Sequence, residues 1–209
     1  NRMKRKDFIP KMVEQLKEDL QLKSSPRKIE AFDISHLGGT NTVASMVSFF
    51  DGKPKKNEYR KYNIKTVEGI DDFASIREVV FRRYSRVKKE GLGFPDLILI
   101  DGGKGQLSMA VSALRELGLE YITVIGIAKR LEEVFVPGHT DPQNIPKSSS
   151  GLILLRRIRD EAHRFAITFQ RTKRKKTSLK SVFDDIAGMG PSRVKKIMKD
   201  FNGIDEIAS

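Results

Sequence analysis

The sequence predicts an α/β protein built on a mixed five-stranded sheet with helices on both faces. Three runs rich in β-branched and aromatic residues follow one another at 28–35, 42–50 and 58–64, separated by turn-forming segments. Two further strands, at 97–100 and 121–128, alternate with segments of helical periodicity. Strands joined by short turns form an antiparallel meander, whereas strands that alternate with helices run parallel. The sheet is therefore expected to be mixed.

Apolar residues at helical spacing predict the helices. These are expected at about 7–22, 71–87, 105–118 and 152–169. Asp7 is the expected N-cap of the first helix, with Pro10 in its first turn. In the second helix, Phe73 falls on the same apolar face as Ile76 and Val80.

The resulting order, βββαβαβα, is the ribonuclease H-like arrangement, with helices on both faces. A doubly wound nucleotide-binding fold would instead alternate strands and helices from its first strand. We expect this domain to span residues 1–170. The basic run at 171–180 has no apolar periodicity and predicts a linker, and a small all-α segment follows at 181–209.

Charge and composition narrow the functional class. Lys and Arg total 40 against 27 Asp and Glu, a net charge of +13, which favours a polyanionic partner such as nucleic acid. Ribosome-like basic proteins and membrane-surface proteins share this bias. No apolar run is long enough to span a bilayer and no signal peptide opens the chain, so a cytoplasmic protein is expected. Since the chain starts at Asn1 and not at Met, we expect it to be part of a longer protein. The absence of cysteine excludes disulfides, thiolate zinc sites and a cysteine nucleophile.

Two aspartates stand where a ribonuclease H-like sheet would bring them together. Asp33 lies in the first strand and Asp101 ends the fourth, and these strands are neighbours in this fold. Adjacent carboxylates repel each other unless they share a divalent cation, and such a pair suits metal-assisted phosphodiester hydrolysis by Mg²⁺ or Mn²⁺. His163 on the last helix is a candidate third ligand or proton-transfer group. The alternative is that the aspartates are turn or cap residues and the histidine is structural or solvated.

Basic residues near these positions are candidates for DNA binding. Lys104 lies in DGGKGQ, which lacks the complete P-loop pattern but could present backbone N–H groups to a phosphate, or simply form a turn. Arg159 shares a helical stripe with His163. Two weaker candidates are Lys129, near the end of the fifth strand, and His36, three residues beyond Asp33. Either could equally be a surface residue or a packing residue.

The tail contains a second DNA-binding pattern. Residues 181–201 predict two short helices around Gly188-Met189-Gly190-Pro191, which resembles a helix-hairpin-helix motif. In this motif the glycine turn, here Gly188 and Gly190, offers backbone N–H groups to a DNA phosphate without reading sequence. Flanking contacts are expected from Ser192, Arg193 and Lys195. A helical hairpin with a glycine cap is the alternative.

Several segments in the same order resemble one family. These are RKIEAFDISHLGGT, PDLILIDGGKGQL, VIGIAKR, LRRIRDEAHRFAITFQR and IAGMGPSR. They resemble the C-terminal half of the UvrC family, the C subunits of the bacterial excinuclease ABC in nucleotide excision repair. The resemblance covers the chain from about Leu16 onward.

The resemblance implies a ribonuclease H-like nuclease that cuts DNA on the 5′ side of a lesion, followed by tandem helix-hairpin-helix motifs, of which the first is present here. It also implies that Asp33, Asp101 and His163 form a metal site for Mg²⁺ or Mn²⁺. The implied partners are damaged duplex DNA and UvrB, the latter through a segment mostly outside this chain, and no membrane. The alternative is a non-catalytic DNA-binding scaffold that keeps the fold.

Overall fold

A computed structural model of the chain describes residues 8–37, 41–67, 71–128, 132–184 and 193. Within these residues, one mixed sheet is flanked by helices. Its strands are β1 (Lys28–Leu37), β2 (Asn41–Phe50), β3 (Lys53–Pro54), β4 (Arg60–Asn63), β5 (Leu97–Asp101), β6 (Thr123–Ala128) and β7 (Glu133–Phe135). The helices are α1 (Lys11–Asp19), α2 (Asp72–Lys89), α3 (Lys104–Glu116) and α4 (Ser150–Asp184).

The strand order is β3-β2-β1-β5-β6-β7, with β4 also paired to β2. Strands β1, β2 and β4 form the expected antiparallel meander, and β5 and β6 continue the sheet in parallel with β1. The predicted ribonuclease H-like arrangement is thus confirmed, but the predicted number of strands is wrong. The described part of the sheet has seven strands, not five. The additional strands, β3 and β7, are too short to produce a detectable alternation of apolar residues.

The sheet is covered on both faces, as predicted. Because side chains alternate along a strand, Phe32 of β1 packs toward α2 and α3, while Ala31 packs toward α1 and α4. The α2 side also contains a buried ion pair. Glu30 accepts hydrogen bonds from Arg83 (2.8 and 3.2 Å) and from the Tyr84 hydroxyl (2.9 Å), and burial raises the pKa of Tyr84.

The first and last helices differ from the prediction. Helix α1 begins at Lys11, after Pro10 in extended conformation, so the predicted start near Asp7 is too early. Asp7 itself lies outside the described residues. Helix α4 continues through the basic run at 171–180, which we predicted as a linker. Lys and Arg are good helix formers and neither Gly nor Pro interrupts this stretch, so helical structure does not require apolar periodicity there.

The chain divides into two compact units, residues 1–166 and 167–209. The predicted helix-hairpin-helix segment falls almost entirely outside the described residues. No helix in the described part of the chain combines the length and the apolar character needed to cross a membrane.

Helix α2 corrects one prediction about packing. Ile76, Val80 and Tyr84 are buried against the sheet as expected, but Phe73 is 53% exposed. Phe73 occupies the first turn of α2, where its ring lies against Gly105 of α3 and not in the core.

Candidate metal centre

Alternation along two neighbouring strands places both candidate aspartates on one face of the sheet. Ala31 of β1 and Leu99 of β5 pack toward α4, so the residues two positions further, Asp33 and Asp101, are directed to the same side. Phe32 is the register partner of Ile100, which makes Asp33 and Asp101 neighbours on parallel strands. The predicted proximity of these two aspartates is therefore observed.

Helix α4 brings the histidine to this pair. Ile158 and Ala162 of α4 are buried against the sheet, which directs the next residue, His163, toward the strand ends. Ser45, the β2 partner of Asp33, donates a hydrogen bond to the Ala162 carbonyl oxygen at 3.1 Å. This bond fastens α4 to the sheet beside Asp33. The Nδ1 atom of His163 lies 3.7 Å from Oδ1 of Asp33.

The three side chains form a group able to hold a metal ion. One ligand atom from each of Asp33, Asp101 and His163 lies within 4.8 Å of the others. Asp33 is buried, whereas the His163 side chain is 43% exposed, so the group opens toward solvent on the helix side. Two carboxylates and one imidazole are a donor set that suits Mg²⁺ or Mn²⁺, with the imidazole favouring Mn²⁺. The residues thus fit a divalent ion.

The turn after Asp101 depends on a glycine in the neighbouring strand. The Gly102 N–H donates to the carbonyl oxygens of Ile100 (2.9 Å) and Ile127 (3.1 Å). A Cβ at Gly126 of β6 would lie only 2.8 Å from the Gly102 carbonyl oxygen. Gly126 therefore permits the close approach that holds the turn. Sequence reasoning missed Gly126 and Ser45; a glycine inside a buried strand was the available signal for the first.

Arg159 lies one helical turn before His163 and is held by acidic neighbours. Its guanidinium contacts Asp160 at 2.8 Å and Glu132 at 4.0 Å, and the side chain is only 12% exposed. Arg156 pairs with the same Glu132 and thereby joins α4 to the segment before β7. The Nη1 group of Arg159 is buried and has no hydrogen-bond acceptor within the part of the chain that the structure describes.

The remaining candidates lie in different surroundings. Lys104 is exposed at the start of α3, with its ammonium 5.3 Å from the centre of the Phe135 ring. His36 faces α2, where its Nε2 lies 2.7 Å from Asp72 Oδ1, so it is not part of the metal-binding group. Arg193 is helical and exposed. The other candidates lie outside the described residues: Lys129, Gly188, Gly190, Ser192 and Lys195.

The strand order and the group of two carboxylates and one imidazole define a ribonuclease H-like domain with a candidate metal site. Residues 17–167 match the sequence model of the UvrC RNAse H endonuclease domain. The chain belongs to the UvrC family, which confirms the resemblance seen in its motifs.

Full-length relatives agree with this assignment. The chain is 52% identical to the UvrABC system protein C of Cytophaga hutchinsonii over 199 residues, which cover 94% of this chain and 33% of that protein. It is also 52% identical to the corresponding protein of Christiangramia forsetii, over 95% of this chain and 34% of that protein. The chain thus spans about a third of the length of these relatives.

Endonuclease V proteins are among the solved structures to which the chain shows similarity. Endonuclease V of Ciona intestinalis, in complex with an inosine-containing DNA, has a TM-score of 0.39 at 19% identity, covering 72% of this chain and 65% of that one. Endonuclease V of Bacillus subtilis has a TM-score of 0.39 at 13% identity, covering 75% of this chain and 91% of that one.

Proposed function

We propose that this chain is a divalent-metal-dependent DNA endonuclease domain that hydrolyses a phosphodiester on the 5′ side of a lesion during nucleotide excision repair. The observation that carries the proposal is the convergence of Asp33, Asp101 and His163 within 4.8 Å at the end of β5. Membership of the UvrC family supports the reaction class, and the 5′ side follows from the family resemblance.

Each residue of the site has a distinct task in this proposal. Asp33 and Asp101 hold the ion, which would relieve their mutual repulsion when bound. His163 completes the ligand set or moves a proton at the scissile phosphate, a role open to an exposed imidazole. A bound divalent ion supplies Lewis-acid polarisation of the phosphoryl oxygen and activates water.

The basic surface holds the DNA in this proposal. The net charge of +13 supplies sequence-independent attraction to the phosphate backbone. Lys104, three residues after Asp101, is exposed, and Lys129 follows β6. Arg159, one helical turn before His163, would reach a phosphate only by giving up its contacts with Asp160 and Glu132. The hairpin residues Gly188, Gly190, Ser192, Arg193 and Lys195 would contact DNA phosphates without reading the sequence. The partner UvrB would bind through a segment mostly outside this chain, in the cytoplasm.

The decisive experiment is a nicking assay with supercoiled plasmid DNA and with a duplex carrying a single bulky lesion. The chain should nick DNA when Mg²⁺ or Mn²⁺ is added and not in EDTA. DNA binding without nicking under every metal condition would favour the non-catalytic scaffold.

His163 can be separated from the aspartates by metal preference. Because imidazole suits Mn²⁺ better than Mg²⁺, His163→Asp should shift the preferred ion toward Mg²⁺. His163→Ala should lose nicking while Asp33 and Asp101 still bind one ion, measured by calorimetry with Mn²⁺. Nicking by His163→Ala at the parent rate would remove this residue from the mechanism.

A further inference from the structure

The cleft between the first turns of α2 and α3 presents an exposed aromatic residue, Phe73. Phe73, Gly103, Gly105 and Gln106 line this cleft, together with Asp71 and Asp72. Asp101 ends the strand that leads directly into α3, and β1 is tied to α2 by the contact between His36 and Asp72. The cleft therefore lies at the same edge of the sheet as the metal-binding group.

Phe73 does not contribute to either hydrophobic core. The residue is 53% exposed and belongs to neither buried cluster among the described residues. One side of the ring is held by Gly105: a Cβ there would lie 2.3 Å from a Phe73 ring carbon. The absence of a side chain at Gly105 thus allows the Phe73 ring to lie against α3 while much of the residue faces solvent. Removing Phe73 should therefore cost the core little.

The polar groups of the cleft favour an uncharged ligand. The Asp71 carboxylate accepts a hydrogen bond from the Ala74 N–H at 3.0 Å, and Asp72 pairs with His36. Two carboxylates would repel a phosphate. The aromatic ring, the glycine backbone and the Gln106 amide instead complement the flat face and the polar edge of a nucleobase.

We propose that Phe73 is a stacking platform for a nucleobase of the DNA strand close to the nucleotide being cut. The inference rests on the proposed nuclease function. At this edge of the sheet, the metal-binding group lies on the α4 side and Phe73 lies on the α2 side. A strand laid across this edge would place a phosphate at Asp33 and Asp101 and an unpaired base of a nearby nucleotide on Phe73. Stacking would fix the position of the scissile phosphate.

The composition of the chain provides a direct test. The sequence contains no tryptophan, so Phe73→Trp introduces a single tryptophan, which can be excited selectively over the four tyrosines and whose fluorescence is quenched by stacking on a base. Tyr121→Trp is the matched control: Tyr121 is 70% exposed and precedes β6, at the opposite edge of the sheet. A single-stranded oligonucleotide and a duplex with a small unpaired bubble are titrated into each variant in EDTA, and DNA binding is followed separately by anisotropy of labelled DNA.

We expect strong quenching at position 73 and little at position 121. In parallel, Phe73→Ala and Phe73→Leu should each weaken binding of the bubble duplex by roughly 5- to 100-fold, the range of base–aromatic stacking, while Tyr121→Ala leaves it unchanged. Phe73→Tyr should retain parent affinity because it keeps the aromatic face. If Phe73→Trp fails to fold, 2-aminopurine placed beside the cut in the bubble duplex reports the same stacking on the unmodified chain.

The outcomes separate this inference from the proposed function. DNA that is bound and nicked, but without quenching at position 73, overturns the stacking platform and leaves the nuclease intact. Quenching at position 73 in a chain that never nicks DNA supports base stacking on Phe73 but contradicts the nuclease and, with it, a position of this base beside a cut. Equal quenching at both positions overturns the platform as well.

Discussion

The two faces of strand β1 each carry a buried carboxylate, and the two carboxylates have opposite surroundings. Glu30 faces α2, where a guanidinium and a phenol hydroxyl from Arg83 and Tyr84 donate to it. Asp33, three residues later, faces α4, where its neighbours in the metal-binding group are a second carboxylate and an imidazole. Glu30 and Asp33 are both at least 95% buried.

Strand β1 therefore carries a structural carboxylate on one face and a candidate metal ligand on the other. The charge of Glu30 is balanced within the fold, so the domain holds this carboxylate without any ligand, and removing one partner leaves a buried charge uncompensated. The pair of Asp33 and Asp101 concentrates negative charge, an arrangement that a divalent ion would relieve. We therefore expect changes at Glu30 to alter mainly stability, and changes at Asp33 to alter mainly activity.

The largest effect is expected at the metal-binding face. Asp33→Asn or Asp101→Asn should lower the nicking rate by roughly 10³-fold or more, because each removes a charged ligand with little change in volume. In EDTA the thermal unfolding midpoint should stay equal or rise, since the repulsion between the carboxylates is gone. Parent-level nicking by both variants would contradict the proposed site.

The opposite pattern is expected at the ion pair. Arg83→Met should lower the free energy of unfolding by about 3–5 kcal/mol, because Glu30 is left buried without its main cation. Urea denaturation at neutral pH measures this change. The control is the double variant Glu30→Gln/Arg83→Met, which should recover most of the loss. If Arg83→Met is as stable as the parent, Glu30 is not balanced by this pair.

A third buried carboxylate, Glu78 of α2, allows the role of charge in stability to be tested by changing the pH. Burial would raise the pKa of Glu78, but hydrogen bonds from Thr66, Lys65 and Arg82 outweigh it and hold this pKa below its ordinary value of 4.5. A lowered folded-state pKa stabilises the protein above the unfolded-state pKa, and this contribution is lost as the pH falls through the folded-state value.

Glu78→Gln should therefore lower the free energy of unfolding by about 1–3 kcal/mol near pH 7, because the donors lose a charged acceptor. The gap to the parent should narrow as the pH falls below 4.5. Urea denaturation between pH 7 and values below 4.5 measures this difference in the free energy of unfolding. A gap that stays constant with pH would show that the lost contacts, and not the charge, cause the effect.

The smallest effect is expected where α4 is fastened to the sheet. Ser45→Ala removes the hydrogen bond to the Ala162 carbonyl and should lower the free energy of unfolding by about 1 kcal/mol. It should also lower the nicking rate several-fold because His163 follows Ala162. Ser48→Ala is the matched control: this buried serine of β2 bonds Glu58 instead, so its loss should affect stability alone. Equal nicking by both variants would contradict a positioning role for Ser45.

Local sequence determined the backbone elements and the identity of the candidate ligands. Alternation in β1 and the apolar run in β5 are encoded by consecutive residues, and their order restricts the topology enough to bring Asp33 and Asp101 together. The same reasoning failed for β3 and β7, which have too few residues to show a period. It also failed for the basic part of α4, where helix propensity acts without an apolar face.

Only the tertiary structure decided which groups surround each of these carboxylates. Glu30 and Asp33 are both acidic residues in an apolar strand, and nothing in their neighbours along the chain distinguishes them. The distinction arises because α2 brings Arg83 to one face, from 53 residues away, while β5 brings a second carboxylate to the other. The same holds for Phe73, which helical spacing assigned to the core: the position of Gly105 in α3 places its ring at the sheet edge. Electrostatic and packing energies depend on distances between chain segments, and those distances exist only once the sheet has formed.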